Sequence, residues 1–170
     1  MKKDDSEKGI TLIGMPGSGK STIGKKLAHA LGWNFIDLDI LINKKEGKSH
    51  SLIMEERGES GLMRLEENYT LPLNLERTVF SPGGSIVYSK KAMEKLSAET
   101  RIIYLDLPLK EIKRRLGAGA ASRGIIGLEE KGLGGLFNER QALYQKTAHQ
   151  KIMCLGLGAQ AIISKIIKRL

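Results

Sequence analysis

At 170 residues, 41% hydrophobic and 28% charged, the chain is long enough for one domain with a buried core and too short for a barrel enzyme of ordinary size. A single cysteine, Cys154, excludes an internal disulfide and a cysteine-built zinc site, and no apolar run approaches the roughly 18 residues of a membrane-spanning helix. The net charge of +9 calls for an anionic partner, but the cations are scattered and only three Phe, four Tyr and one Trp could stack on bases, so small anions such as phosphates are expected and nucleic acid is not. The charged start, residues 1–9, does not read as a secretory signal, and a cytoplasmic monomer without membrane contact is expected.

Short apolar runs alternate with longer amphipathic stretches, the pattern of βα units around a parallel sheet. A strand over 10–14 leads to a helix over Lys20–Leu31, ended by Gly32. A second strand, Asn34–Asp37, leads to a helix over Leu38–Glu46 that stops at Gly47. Ser49 can cap a helix over 52–57, stopped by Gly58. The stretch 59–75 carries Leu62, Leu65, Tyr69 and Leu73 at helical spacing, with Pro72 leaving its end open. The strand Thr78–Ser81, a helix over 90–96 opened by Ser89, and a strand over 101–106 follow. Pro108 takes the first position of a helix over Leu109–Leu116. Glycines at 117, 119, 124, 127, 132, 134 and 135 then mark 117–135 as a long loop, read as a lid. A helix over 129–148, its first third broken by glycines, a weaker strand over 151–155 and a helix over 159–170 close the chain.

The string Gly14-Met15-Pro16-Gly17-Ser18-Gly19-Lys20-Ser21 fits G-x-x-x-x-G-K-[ST] between an apolar strand and a helix. Gly17 and Gly19 let backbone N–H groups turn onto phosphate oxygens, and the helix start aims its positive end at the same anion. Lys20 would reach the β- and γ-phosphates and Ser21 would offer its hydroxyl to Mg²⁺. The guanine-reading string of a GTPase is missing, since Asn43-Lys44-Lys45-Glu46 is early and ends in Glu. A small kinase that carries a phosphoryl group from ATP to a bound acceptor fits the length and the lid. The second strand ends in Asp37-Leu38-Asp39, where ligands sit in a parallel sheet. One carboxylate there can orient Mg²⁺ and the other can accept a hydrogen bond from an attacking hydroxyl, or either can simply cap the following helix.

With these residues in place the chain resembles the shikimate kinases over nearly its whole length. The matching residues are 14–22, Asp37-Leu38-Asp39, Gly58-Glu59 with Glu66, Gly83-Gly84, Arg115, Arg123, and Asn138-Glu139-Arg140 with Leu143-Tyr144. The resemblance implies an α/β, P-loop three-layer sandwich: a five-stranded parallel sheet flanked by helices, in one domain over 1–170. It also implies ATP with Mg²⁺, and transfer of the γ-phosphoryl group to a hydroxyl of a small molecule. By the same resemblance Gly17, Ser18, Gly19, Lys20, Ser21, Thr22 and Arg115 bind nucleotide, and Ser21 and Asp37 serve the metal. Lys20, Asp39 and Arg123 are the catalytic set, and Asp39, Gly83, Gly84 and Arg140 bind the acceptor.

Three departures from the family pattern stand out. Met63 occupies the place of an arginine that binds the acceptor's carboxylate, and Arg64 beside it is turned about 100° away. Pro82-Gly83-Gly84 replaces three glycines, and Arg123-Gly124 replaces an Arg-Pro, a looser hinge. A thioether cannot form the bidentate fork of a guanidinium. Met63 and Leu62 are therefore expected to make one wall of the acceptor pocket apolar, leaving a carboxylate to Arg140. Shikimate is the leading acceptor, its use expected to be weak; a different acceptor, or a nucleotide-binding regulator, is the alternative.

Overall fold

The computed structural model describes residues 8–170, so most of the charged start, residues 1–7, lies outside the described residues. Five strands, β1 (Gly9–Ile13), β2 (Asn34–Asp37), β3 (Thr78–Ser81), β4 (Thr100–Asp106) and β5 (Gln150–Met153), pair in the order β2-β3-β1-β4-β5, every neighbouring pair parallel. The expected weaker fifth strand is thus present at an edge. β1 and β3 are buried along their whole lengths, with Thr11, Thr78 and Ser81 enclosed beside the apolar side chains.

Helices α1 (Lys20–Leu31), α2 (Leu38–Glu46), α3 (His50–Thr70), α4 (Lys90–Glu99), α5 (Leu109–Leu116), α6 (Leu128–Thr147) and α7 (Ala159–Ile167) cover the sheet. Their ends follow the local chemistry. The left-handed Gly32 closes α1 by donating its N–H to Ala28 O and His29 O, and Ser49 Oγ accepts the Leu52 N–H at the start of α3. Gly58 breaks α3 into two arms, as the two predicted helices require, but the second arm ends at Thr70 rather than 75. Pro108 stands one residue ahead of α5, in extended conformation, rather than inside it.

The segment 117–135 differs from the loop that its glycines suggest. Gly117–Arg123 winds into a 3₁₀ helix, and α6 begins at Leu128, broken only at Gly132. Glycine lowers helix propensity by about 1 kcal/mol without forbidding the helix, and Gly134 and Gly135 sit inside it.

The core is one cluster on both faces of the sheet, with Ile10, Leu12, Ile102, Ile103 and Leu105 fully buried. Each such side chain is worth roughly 1.5–3 kcal/mol of burial. Among the described residues no helix is long and apolar enough to cross a membrane. The order of strands reverses around β1 and β3, so the turns after these two strands flank a crevice at their C-terminal ends.

Candidate functional site

That crevice is a cavity of about 480 Å³. The turn after β1 supplies Pro16, Gly17, Gly19, Lys20, Ser21 and Thr22; α2 supplies Asp39; α3 supplies His50 and Glu66; the turn after β3 supplies Pro82, Gly83, Gly84 and Ser85. Arg115, Arg123 and Arg140 converge on it from the other side, with Gly124, Ile125 and Ile126. Of the residues expected from sequence, Ser18, Asp37, Leu62 and Met63 stand outside this lining.

The phosphate loop is wound around the Lys20 ammonium, whose Nζ donates to Gly14 O at 2.9 Å and Met15 O at 3.1 Å. Burial pushes the Lys20 pKa down to about 8, against the opposing pull of Asp39. Gly17 and Gly19 have φ of 82° and 99°, and a Cβ on Gly17 would lie 3.2 Å from the Leu116 side chain. The Ser18 N–H closes the turn on Met15 O at 3.0 Å, and its buried hydroxyl has no hydrogen-bond partner among the described residues. Arg115 lies across the loop, Nη1 donating to Gly17 O at 3.4 Å while Nε donates to Glu111 at 2.8 Å.

The two aspartates divide. Asp37 is buried, and its Oδ1 accepts the N–H groups of Asp39 (3.1 Å) and Ile40 (3.2 Å), capping α2. Asp39, one residue into the helix, turns its carboxylate to the cavity. Its Oδ1 lies 3.3 Å from His50 Nε2. Burial opposes ionisation of Asp39, yet the His50 contact and charge, with Lys20 behind, hold its carboxyl below the usual range.

Across from Asp39, Glu66 is fully enclosed, and Ser85 Oγ donates to its two oxygens at 2.7 and 2.6 Å. Burial pushes its pKa up to about 7, with the Ser85 bond opposing and the Asp39 charge adding to the rise. Gly83 and Gly84 are glycines because of close approach. A Cβ on Gly83 would come within 2.6 Å of Glu66 Oε1 and 3.2 Å of Asp39 Oδ1; one on Gly84 would come within 2.8 Å of Arg140 Nη1.

Arg140 is the largest fully buried side chain. Its Nη2 donates to Ile126 O at 2.8 Å, its Nε to the Tyr88 hydroxyl at 3.3 Å, and its plane lies over the Tyr88 ring at 5.3 Å. Burying a charge is costly unless it is paired, and this guanidinium lines the cavity, with the Glu66 and Glu139 carboxylates near enough to feel it.

Two expectations from sequence need correction. Met63 does not wall the cavity: it packs half-buried against the hydrophobic core, and Leu62 is wholly inside that core. Leu62 and Met63 both pack on the core side of the second arm of α3, while Glu66 lines the cavity. Gly124 is not a loose hinge either. A Cβ there would lie 2.7 Å from Ser51 N and 2.8 Å from His50 C, so the chain after Arg123 presses directly on the start of α3.

His50 was not legible as a site residue. One histidine at a helix start carries no pattern; the signal available was only that Ser49 caps the helix, which fixes where His50 begins.

Comparison with known proteins agrees with this geometry. A family model described as shikimate kinase matches residues 16–170. The chain is 35% identical over 162 residues to a shikimate kinase of Persephonella marina, covering 95% of this chain and 98% of that one. Over 164 residues it is 36% identical to one from Synechococcus sp., covering 95% and 83%. Among solved structures, shikimate kinase from Acinetobacter baumannii in complex with shikimate aligns with a TM-score of 0.85 at 27% identity, covering 97% of this chain and 93% of that chain. Shikimate kinase from Aquifex aeolicus gives a TM-score of 0.76 at 25% identity, covering 94% of each chain.

Proposed function

This chain belongs to the shikimate kinase family, and on that footing we propose that ATP lies against the phosphate loop and shikimate between Asp39 and Arg140. It is an ATP-dependent phosphotransferase acting on a hydroxyl acceptor. One observation carries the residue assignment: a single cavity is lined by Lys20, Asp39 and Arg140 together. That brings a phosphate ligand, a carboxylate poised for a hydroxyl and a buried cation for an anionic acceptor within one small molecule's reach.

The reaction then runs as follows. The backbone N–H groups around Gly17 and Gly19, and the N-terminus of α1, receive the phosphates. Lys20 exchanges its carbonyl partners for β- and γ-phosphate oxygens. Arg140 holds the acceptor's carboxylate, so that the reacting hydroxyl faces Asp39. The hydroxyl oxygen attacks the γ-phosphorus, the bond to the bridging oxygen of ADP breaks, and the hydroxyl proton passes to Asp39. Negative charge spreads over the transferring group, where Lys20 and Arg123 stabilise it. Mg²⁺ is a hard cation that takes oxygen ligands: the Ser21 hydroxyl would hold it, with the Asp37 oxygen not used in capping α2, and when bound it would supply charge neutralisation at the phosphates.

The segment 117–135 serves as the lid, its 3₁₀ turn carrying Arg123 to the phosphates and excluding water. The whole chain works as one domain and as a monomer. A different acceptor or a purely regulatory nucleotide-binding role is not favoured: the relatives are shikimate kinases, and the substitution that raised those alternatives, Met63, lies off the cavity.

A panel of hydroxylated acids with coupled ADP detection tests the reading. Shikimate should give the largest acceptor-dependent ADP release. No release above the acceptor-free rate with shikimate, and release with another acid, would overturn it.

A further inference from the structure

We propose that His50 is a positioning residue for the phosphoryl transfer: its Nε2–H holds one oxygen of Asp39 and leaves the other for the acceptor hydroxyl. The inference rests on the reading of Asp39 as the group that takes the acceptor's proton.

The ring is held by a hydrogen bond at Nδ1, and its buried Nε2, which has no hydrogen-bond partner among the described residues, faces the Asp39 carboxylate at ion-pair distance. Nδ1 lies 2.7 Å from Asn43 Oδ1, and Nε2 lies 3.3 Å from Asp39 Oδ1. Asp39 and Asn43 are four residues apart on α2 and so stand one above the other on a single face. The imidazole bridges them from the first turn of α3, only 9% exposed. Behind it, Gly124 packs on the His50 backbone so closely that a Cβ there would sit 3.0 Å from His50 Cβ. Turning the ring would break the Asn43 bond and carry Nε2 away from Asp39.

The proton on Nε2 follows from this geometry. If Nδ1 donates to Asn43 Oδ1 and the ring is neutral, Nε2 presents a lone pair to a carboxylate oxygen, which is repulsive. Two arrangements remove the conflict. In one the ring is an imidazolium and both nitrogens donate. In the other the Asn43 amide is turned, its NH₂ donates to Nδ1, and Nε2 carries the single hydrogen. Each puts Nε2–H toward Asp39. Glu66, whose oxygen lies within 4.8 Å of both groups, already accepts from Ser85, so Asp39 is the acceptor with capacity to spare.

The need for such a partner comes from exposure. The Asp39 side chain is 54% exposed, on the first turn of a helix, and among the described residues no hydrogen bond holds its carboxylate. Left alone it would sample several rotamers, and a misplacement of about 1 Å in a reacting group can cost up to about 10²-fold in rate.

Two near-isosteric variants separate orientation from packing. Gln carries an amide N–H on a chain of Met's length, and Met carries none. In the full chain, with shikimate and ATP, His50→Met should lower kcat at least tenfold with the KM for ATP within twofold of the native value. His50→Gln should return kcat to within about threefold. In an Asp39→Asn background, His50→Met should change kcat by less than twofold, because His50 acts through Asp39. Should His50→Met fail to fold, Asn43→Ala at the exposed end of the bridge should still lower kcat severalfold with the KM for ATP unchanged. Equal kcat for the Met and Gln variants, native kcat in Asn43→Ala, or full additivity with Asp39→Asn would overturn the inference. If Asp39→Asn alone retains native kcat, the reading of Asp39 itself is what fails, and the role of His50 falls with it.

Discussion

Glu59 and Gly127 are 68 residues apart in the chain, and the carboxylate of the first accepts the backbone N–H of the second at 2.6 Å. The bond ties the residue just past the Gly58 break to the residue just before α6, so the segment leading into α6 is latched to α3. A hydrogen bond to a charged group is worth about 1.5–3 kcal/mol. Glu59→Ala should therefore speed hydrogen exchange at the Gly127 amide by at least about tenfold while leaving the sheet amides unchanged. An unchanged rate at Gly127 would mean the latch carries no energy.

Asp39→Asn removes the proton acceptor but keeps the shape. It should cut kcat by at least about 10² with the KM for ATP nearly unchanged. Lys20→Ala should abolish turnover even at saturating ATP, since it deletes charge from the transferring group. Steady-state kinetics on both variants decide the matter: a collapse of ATP binding in Asp39→Asn would make that residue a metal ligand or a structural cap.

Gly83→Ala places a methyl 2.6 Å from Glu66 Oε1 and 3.2 Å from Asp39 Oδ1. Glu66 is tied to Ser85 and cannot retreat freely, so the strain falls on the Asp39 carboxylate and the acceptor space. The KM for shikimate should rise at least tenfold, while equilibrium binding of an ATP analogue stays within about threefold. A uniform loss of both would place the damage in the fold instead.

Stability should fall as pH rises from about 5 to 7. The buried Glu66 has its pKa raised from 4.5 to about 7. Between those values the unfolded chain has released this proton and the folded chain retains it, so the unfolded state binds fewer protons and rising pH favours it. At roughly 1.4 kcal/mol per unit, the loss is on the order of 3 kcal/mol. His50, whose pKa is raised by Asp39 against the effect of burial, acts in the same direction. Denaturant unfolding of Glu66→Gln across this range should show a shallower slope than the native chain.

Met63→Leu conserves volume in a half-buried apolar place. It should leave the KM for shikimate within twofold. A rise of tenfold would return Met63 to the acceptor wall.

The phosphate loop and the Asp37-Leu38-Asp39 turn were legible because their chemistry is written in adjacent residues between a strand and a helix. The break at Gly58 was legible for the same local reason. Met63 was misjudged because register along a helix fixes which residue stands at a place, not whether its side chain leaves the core to reach a ligand. The helical winding of 117–135 was hidden because glycine counts report flexibility, whereas packing of Gly124 on His50 and the Glu59 latch report what holds the segment. His50 was invisible because its partners arrive from α2 and from beyond the Gly58 break, and only folding assembles them.

Gly58 and Gly132 share one backbone geometry, φ 68° and ψ 175° in the first, φ 62° and ψ 169° in the second. Around either, an added Cβ would meet no atom within 4 Å. That region of conformation is open essentially to glycine alone and costs other residues about 1–3 kcal/mol. A mutational scan ranked by crowding would score both positions as harmless, although each is a break inside a helix that only glycine's conformational range permits. Alanine there would strain both breaks with no clash to betray it, so an exchange made in open space carries a cost that crowding alone misses.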